Sequence, residues 1–327
     1  MTTISELIKI ARPNLKDNSI KQYATHIKKL MRLFGVQDDT DYSFLNNPDE
    51  VMSKLSERHY TSKRNTLNAI IVLLTASPTP ENSELIKSYQ KIRDGLNQQY
   101  SDEQASGKIS EKQKDNFCEM SEIQGMIDEM EKNIVERDIK YRVKKGGLNS
   151  KDRELLMVWV IFNFLIRIPT RNDMAGQKLV TRRMYSKLTD EDKAEGNFII
   201  REKGGMTGIY NEYKTSKKYG ERQVPIPKDL EKILNTYIKL LDKKSGDVLF
   251  LSSTGEPLTR NGISQMLLRN SKEYLNGKCV STTIMRKVVA SHHFGGEFAE
   301  KKKEQVALAN AMGHSVAVMD KVYIKEA

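Results

Sequence analysis

Two arginines in the second half of the chain lie where a charged side chain could be held rigidly. Arg171 follows the most apolar segment of the sequence, which Pro169 ends, so its side chain would project from a turn at the end of a rigid helix. Arg286 lies in STTIMRKVVAS, where Met285 and Val289 recur at helical spacing. A guanidinium binds phosphate oxygens through two parallel hydrogen bonds, so each position could hold a phosphate. Taken alone, each is more often an ordinary surface arginine.

A lysine precedes a basic turn in the segment YKTSKKYGERQVPIP. The alternation on both sides of KKYG predicts a hairpin, which could present Lys214 into a groove. Lys217 and Lys218 are rivals for that position and would otherwise contact backbone phosphates. Without further support, the segment would be read as a solvated hairpin with charged tips.

The last sixteen residues, MGHSVAVMDKVYIKEA, contain two more groups that transfer protons or form covalent bonds. His314 follows a glycine, and Tyr323 lies nine residues further on. A histidine here could also be a helix cap or a core residue, and the tyrosine could simply pack on a short helix.

The order of these residues is more specific than any one of them. An arginine, a hairpin lysine, a helical arginine, a Gly-His pair and a tyrosine in this sequence resemble the tyrosine recombinase (phage integrase) family over the whole chain. VALANAMGHSVAVMDKVY resembles the family's LxxALGH…Y segment, KTSKKYGERQVPIP its KTGKxRxVPLP hairpin, and IPTRNDM the PxRxD form of its first arginine box.

The resemblance implies a role for each residue. Arg171 and Arg286 would hold the non-bridging oxygens of the scissile phosphate, and Lys214 would protonate the leaving 5′ oxygen. His314 would assist phosphate binding and proton transfer, and Tyr323 would be the nucleophile that forms a 3′-phosphotyrosine link. Two arginines can neutralise the growing charge without a metal, and the covalent link conserves bond energy without ATP, so no cofactor is expected.

Two positions depart from the family pattern. Thr283 stands where the family commonly has a histidine; it can hydrogen-bond a phosphate but cannot act as a base near neutral pH. His292 and His293 could substitute for it, although a core or surface role is the simpler interpretation. Asp173 lies one residue before the position of the usual acid, and we expect it to support the arginines.

The apolar pattern predicts a mainly α protein with a small antiparallel β-sheet. Residues 1–100 contain four or five amphipathic helices, and residues 101–117 are polar without an apolar period, which indicates a linker. Residues 118–327 continue with helices, about three strands over 197–227 and a short strand in DVLFLSS. The resemblance makes 1–100 a SAM-like core-binding domain that clamps duplex DNA and 118–327 the catalytic domain.

The charge of the chain favours a polyanionic partner. The formal net charge is +11 and the pI is about 9.3, with an excess of Lys and Arg in both predicted domains. Candidate phosphate contacts on the helices of the first domain are Lys21, Lys28, Lys63 and Arg64. A solvated surface charge is an equally good interpretation of each.

Composition excludes several other classes. With 38% hydrophobic and 30% charged residues, the chain is too apolar for disorder and too polar for a membrane protein. Its two cysteines, Cys118 and Cys279, exclude a disulfide scaffold and a thiolate zinc site. With Glu6 in place of an apolar leader, we expect an intracellular protein that acts with DNA.

The resemblance further implies double-stranded DNA as the partner and a homo-tetramer assembled on paired DNA sites. Abundant lysine and asparagine hint at an AT-rich genome such as that of a virus or mobile element. Two alternatives stay open: an enzyme like type IB topoisomerases, which relaxes DNA by the same chemistry, and a DNA-binding protein whose catalytic residues have decayed.

Overall fold

The computed structural model describes residues 2–105, 108–313 and 315–320. The chain forms two compact units, Met1–Lys108 and Ile109–Ala327. Among the described residues, the regular secondary structure of the first unit is entirely helical, and the second unit combines helices with one small sheet. The predicted fold class, mainly α with a small sheet, is therefore confirmed.

The first unit consists of the amphipathic helices that the apolar spacing predicts. Asn47 caps α3 by accepting from the Glu50 amide, and Pro48 occupies the first turn, where its missing N–H costs nothing. The elements of this unit are α1 (Ile4–Ala11), α2 (Asp17–Phe34), a 3₁₀ turn (Ser43–Asn46), α3 (Pro48–Lys54), α4 (Tyr60–Thr75) and α5 (Pro80–Ala105).

The core of the first unit is centred on α4. Residues Ala69 to Leu74 of this helix are all buried, since α1, α2 and α5 pack around it. The Tyr89 hydroxyl of α5 is also buried and donates to the carbonyl of Leu45 at 2.7 Å, which fixes the 3₁₀ turn against that helix.

The predicted linker, 101–117, contains helical turns in the structure. Helix α5 continues to Ala105, and α6 (Glu111–Lys114) follows shortly before the second core begins. Phe117 packs against that second core. A polar sequence can extend a helix because polar side chains on an exposed surface cost little, and this is why composition alone does not place the helix end.

The second unit is built around α9, an almost entirely buried helix. All residues from Leu155 to Ile166 are buried, and α7, α13, α14 and α15 pack against it. The helices of this unit are α7 (Met120–Glu136), α8 (Ile139–Lys144), α9 (Ser150–Arg167), α10 (Arg182–Ser186), α11 (Asp190–Ala194), α12 (Ser216–Tyr219), α13 (Lys228–Leu240), α14 (Arg260–Tyr274), α15 (Thr282–Phe294), α16 (Glu297–Ala311) and α17 (Val316–Val318).

The sheet has four strands in the order β1-β2-β3-β4, and it is mixed rather than antiparallel. Strands β2 (Asn197–Glu202), β3 (Gly205–Tyr210) and β4 (Arg222–Pro225) form the predicted antiparallel part. Strand β1 (Lys178–Thr181) pairs in parallel with β2 and was not predicted. Its four residues are too few to establish an alternation, and its partner follows only after α10 and α11.

Two predicted strand segments differ from the structure. The strand expected in IYNEYKT ends at Tyr210, because the next two backbone amides bind a side chain instead of a neighbouring strand. The segment DVLFLSS forms isolated bridges, Lys178 with Val248 and Leu251 with Pro257, rather than a regular strand. In the part of the chain that the structure describes, no helix is long and apolar enough to cross a membrane.

Candidate catalytic site

The turn that follows α9 carries the first arginine. The helix ends where the Ile168 amide binds the carbonyl of Phe164, one residue before Pro169. Arg171 is exposed, whereas Asp173, two residues later, is 4% exposed. The buried end of the rigid helix therefore leads into a turn that presents one cation to solvent and buries one carboxylate.

The side chain of Asn172 anchors this turn to the start of α14. Its Nδ2 donates to the carbonyl of Arg260 at 2.8 Å and to Oγ of Ser264 at 2.7 Å. The turn is therefore fixed by side-chain hydrogen bonds to a helix that lies almost ninety residues further along the sequence.

The second arginine is positioned by α15. Ser281 caps this helix by accepting from the Ile284 amide, and Met285 is fully buried, which leaves the neighbouring Arg286 half-buried. Thr283 is exposed and lies one helical turn before Arg286, so the two side chains share a helix face. His292 and His293 are exposed near the C-terminal end of the helix.

The side chains of Arg171, Asp173 and Arg286 interact electrostatically, and each interaction changes a pKa. Burial raises the pKa of Asp173, and four arginines oppose this rise: Arg260, Arg222, Arg171 and Arg286, in order of decreasing effect. Burial lowers the pKa of Arg286; Arg171 and Arg222 lower it further, whereas Asp173 raises it. One buried carboxylate thus interacts electrostatically with four guanidinium groups, and the two predicted arginines repel each other.

Arg222 is one of two arginines in this cluster that the sequence analysis missed. It opens β4, and its guanidinium lies 4.7 Å from the Tyr210 ring centre and 5.3 Å from that of Tyr213. One terminal nitrogen, Nη2, is 4.0 Å from Oδ2 of Asp173. The Nε and Nη2 atoms are buried and have no hydrogen-bond partner among the described residues. Arg222 belongs to the segment ERQVPIP, but no local pattern in the sequence indicates that it lies beside Asp173.

Arg260, the first residue of α14, is the second missed arginine. Its Nη2 donates to the carbonyl of Glu212 at 2.9 Å and lies 3.4 Å from the Glu212 carboxylate. No pattern in the sequence links Arg260 to Asp173, because the two residues lie far apart along the chain and interact electrostatically only once it is folded.

Lys214 lies in the connection between β3 and β4. It is exposed and follows Tyr213, whose hydroxyl donates to the carbonyl of Gly220 at 2.8 Å and closes the connection. The connection is longer than the predicted tight turn, because Lys217 and Lys218 lie on the short helix α12, where both are exposed. Lys214 is two residues after Glu212, which Arg260 binds.

His314 and Tyr323 lie outside the described residues. The described chain leads towards them through α16, which ends at Ala311, and through Gly313, whose φ of 70° suits glycine. Their predicted roles therefore stay predictions.

The predicted DNA contacts of the first unit lie on α2 and α4. Lys21 and Lys28 are exposed on α2, with Lys28 3.7 Å from the carboxylate of Asp39. Lys63 and Arg64 are half-buried near the start of α4, and Arg64 lies 4.3 Å from the centre of the Tyr100 ring. These cations thus lie on the surfaces of two helices that pack together.

The side chain of His26 joins these two helices. Its Nδ1 is 3.2 Å from the hydroxyl of Thr66, which lies one turn after Lys63. With Lys21 it lines a shallow concavity of about 440 Å³, whose other residues are Asn18, Gln22 and Thr25. One of the predicted DNA contacts, Lys21, therefore lies beside a concavity lined by polar groups of α2.

Comparisons by sequence find no matching family model and no matching curated protein. Solved structures do match. The XerH site-specific recombinase, bound to its difH substrate before cleavage, is 13% identical; the match covers 97% of this chain and 80% of that one, with a TM-score of 0.47. The Tn1549 transposon integrase, in complex with transposon right-end DNA, is 17% identical over 99% and 96%, with a TM-score of 0.48.

The XerA recombinase is a further similar structure, 14% identical over 99% of this chain and 93% of that one, with a TM-score of 0.34. The three similar structures are thus two recombinases and a transposon integrase.

Proposed function

We propose that this protein is a tyrosine-type site-specific DNA recombinase. The observation that carries the proposal is a cluster of cations that interact electrostatically with buried Asp173: Arg222, 4.0 Å from its carboxylate, and Arg171, Arg260 and Arg286. Like charges brought together and partly desolvated are costly without a counterion. Such a cluster is suited to an anion that arrives with the substrate, and a phosphodiester offers it two non-bridging oxygens that share one negative charge.

The cluster supports chemistry at phosphorus in particular. Negative charge on the non-bridging oxygens grows as a phosphodiester is attacked, and cations fixed in advance stabilise that transition state more than the ground state. Arginine suits this role because its planar guanidinium stays protonated and binds two oxygens at once. Asp173 would orient these arginines and limit their mutual repulsion.

The remaining assignments follow the family resemblance. The phenolic oxygen of Tyr323 would bond to phosphorus while the bond from phosphorus to the 5′ oxygen breaks. The Lys214 ammonium would give its proton to the leaving 5′ oxygen, and the phenolic proton would pass to His314. The products are a DNA 3′-phosphotyrosine and a free 5′ hydroxyl, and attack by another 5′ hydroxyl on this link rejoins the strands.

The partner in this proposal is double-stranded DNA. The cations on α2 and α4 would contact backbone phosphates, which position a protein on the duplex without reading its sequence. Exchange between two duplexes needs two cleavages on each, so we propose a homo-tetramer on paired DNA sites, acting inside the cell.

The proposal is tested by trapping the covalent intermediate. A pool of nicked duplexes with a randomised central segment is incubated with the protein, since loss of the short strand beyond the nick makes cleavage irreversible. An adduct that survives denaturing electrophoresis is expected with the wild type and absent with Tyr323→Phe. The matched control is Tyr141→Phe, which alters an exposed tyrosine on α8 and should form the adduct normally.

The duplexes recovered from the adduct then distinguish the alternatives. A plasmid carrying two copies of the recovered site should undergo exchange between them. Relaxation of supercoils without exchange would instead favour the topoisomerase-like function. Binding without any adduct would identify a non-catalytic DNA-binding protein and reject the proposal.

A further inference from the structure

Asn197 is a buried polar residue that the proposed chemistry does not use. It is the first residue of β2, is 3% exposed, and pairs in the sheet with Tyr210, the last residue of β3. A buried amide is costly unless its donors and acceptor are satisfied, so its hydrogen bonds indicate what it does.

The side-chain amide of Asn197 makes four hydrogen bonds. Its Nδ2 donates to the carbonyl of Asp173 at 2.8 Å and to the carbonyl of Glu212 at 2.9 Å. Its Oδ1 accepts from the backbone amides of Asn211 and Glu212, each at 2.9 Å. Both donor hydrogens and both lone pairs of the amide are therefore used.

These bonds join the two loops that carry the proposed catalytic groups. Asp173 lies two residues after Arg171, and Glu212 lies two residues before Lys214. Three of the four bonds hold the lysine loop, and the fourth ties it to the arginine turn. The same bonds end β3, because the amides of residues 211 and 212 bind Asn197 instead of extending the sheet.

A second link joins the same region at the surface. Arg260 binds the Glu212 carbonyl with its side chain, while its own carbonyl accepts from Asn172 in the arginine turn. This link involves an exposed arginine side chain and competes with solvent. The buried amide is shielded from solvent and directional, so it sets the loop geometry more firmly.

We propose that Asn197 is a positioning residue that holds Lys214 in place relative to the Arg171 turn. The inference rests on the proposed function, since it assigns Asn197 a role in delivering the proton to the leaving 5′ oxygen. No other side chain of similar size supplies two donors and one doubly accepting oxygen in this geometry. A displacement of about 1 Å in such a group can lower a rate roughly 100-fold.

The experiment compares two leaving groups on the duplex recovered by trapping. In one substrate the scissile 5′ oxygen is normal, and in the other it is replaced by sulfur. A thiolate leaves without protonation, because a thiol has a pKa near 8.5, so the sulfur substrate does not need Lys214. Adduct formation is timed for the wild type, Lys214→Ala, Asn197→Ala and Asn163→Ala.

Asn163→Ala is the matched control for loss of a buried asparagine. Asn163 is 4% exposed in α9 and donates to the Trp159 carbonyl, far in sequence from the lysine loop. We expect Asn197→Ala to slow adduct formation about 100-fold on the oxygen substrate and to recover most of that loss on the sulfur substrate. Asn163→Ala should affect both substrates equally.

The possible outcomes distinguish a failure of this inference from a failure of the proposed function. No adduct with the wild type rejects the proposed function, and failure of sulfur to rescue Lys214→Ala rejects the lysine as the proton donor. Suppose that sulfur does rescue Lys214→Ala. If Asn197→Ala then slows adduct formation equally on both substrates, or slows it on neither, the positioning role of Asn197 is overturned.

Hydrogen exchange of the loop amides is a second measurement, which does not depend on catalytic activity. Asn197→Asp keeps an acceptor for the amides of Asn211 and Glu212 but loses the neutral amide donors. We expect both amides to stay protected from hydrogen exchange in Asn197→Asp and to exchange faster in any folded Asn197→Ala. Equal protection in the wild type and Asn197→Ala would overturn the inference independently of activity.

Discussion

The first unit carries its cations at the surface, whereas the second unit gathers several of them around a buried charge. Lys21 and Lys28 face solvent beside a core that is made of apolar side chains. In the second unit, Arg286 is half-buried, is repelled by Arg171, and is attracted by the buried carboxylate of Asp173. The first arrangement costs little folding free energy, and the second opposes folding.

Under the proposed function, this difference gives positive charge two uses. Solvated cations release counterions from DNA and supply affinity that depends steeply on salt. Cations held in place before the substrate arrives stabilise charge that develops during a reaction, and the folded protein gives up stability to hold them there. The following variants test whether binding and catalysis divide between the units in this way.

The largest effect is expected for Arg286→Gln. Removing one fixed donor to a developing oxyanion lowers a rate about 100- to 1,000-fold, so adduct formation should fall by that factor while DNA affinity changes little. Because burial and Arg171 lower the pKa of Arg286, the charged group is held unfavourably, and the thermal unfolding temperature should not fall. Arg183→Gln, at an exposed position on α10, is the control. A large loss of affinity in Arg286→Gln would contradict the division.

Asp173→Asn should have opposite effects on activity and stability. The carboxylate orients the arginines, and its loss should slow adduct formation by up to about 100-fold. Burial raises the pKa of Asp173, so the wild type gains stability from protonation below the unfolded pKa and loses it as pH rises through the folded pKa. At neutral pH the variant should therefore unfold at a higher temperature than the wild type, and this advantage should shrink in acid.

Lys63→Ala should weaken binding to all duplexes alike. Losing one phosphate contact should reduce the slope of log affinity against log salt concentration by about 1, with little change in the rate of adduct formation at saturating DNA. Fluorescence anisotropy at several salt concentrations measures the slope. An unchanged slope would remove Lys63 from the DNA interface and leave it as a solvated charge.

The smallest effect is expected for His26→Gln, in the stability of the first unit. Burial and the neighbouring Lys29 lower the pKa of His26, so the neutral ring is favoured in the folded state. The folded unit then loses stability as pH falls from the unfolded pKa near 6.5 towards the lower folded pKa. Denaturant unfolding of the full chain between pH 7 and pH 5 should show this loss in the wild type and less of it in His26→Gln.

The helices could be predicted because they depend on local patterns. The continuous apolar run of α9, ended by Ile168 and Pro169, identified both the core of the second unit and the turn that presents Arg171. Strand β1 escaped prediction because it is short and its parallel partner lies beyond two helices. The predicted strand after Tyr210 stops early because a side chain from another strand binds its amides.

The candidate site was predictable only in part, because only some of its residues belong to local motifs. Arg171 and Arg286 stand in recognisable motifs, whereas Arg222 and Arg260 have unremarkable local sequences. Asn197 gives no signal at all, since an asparagine at the start of a strand is usually a turn residue. Its role depends on which carbonyls and amides the fold places around it.

Chain order and residue type were enough to predict a basic, mainly helical protein and to reveal two arginines, a lysine, a histidine and a tyrosine in an order that resembles the tyrosine recombinase family. Folding alone established that Asp173 is buried and interacts electrostatically with four arginines, and that one amide ties the lysine loop to the arginine turn. Motifs reflect local preferences along the chain, whereas charge–charge energies and hydrogen bonds depend on distances of a few ångströms between residues far apart in sequence.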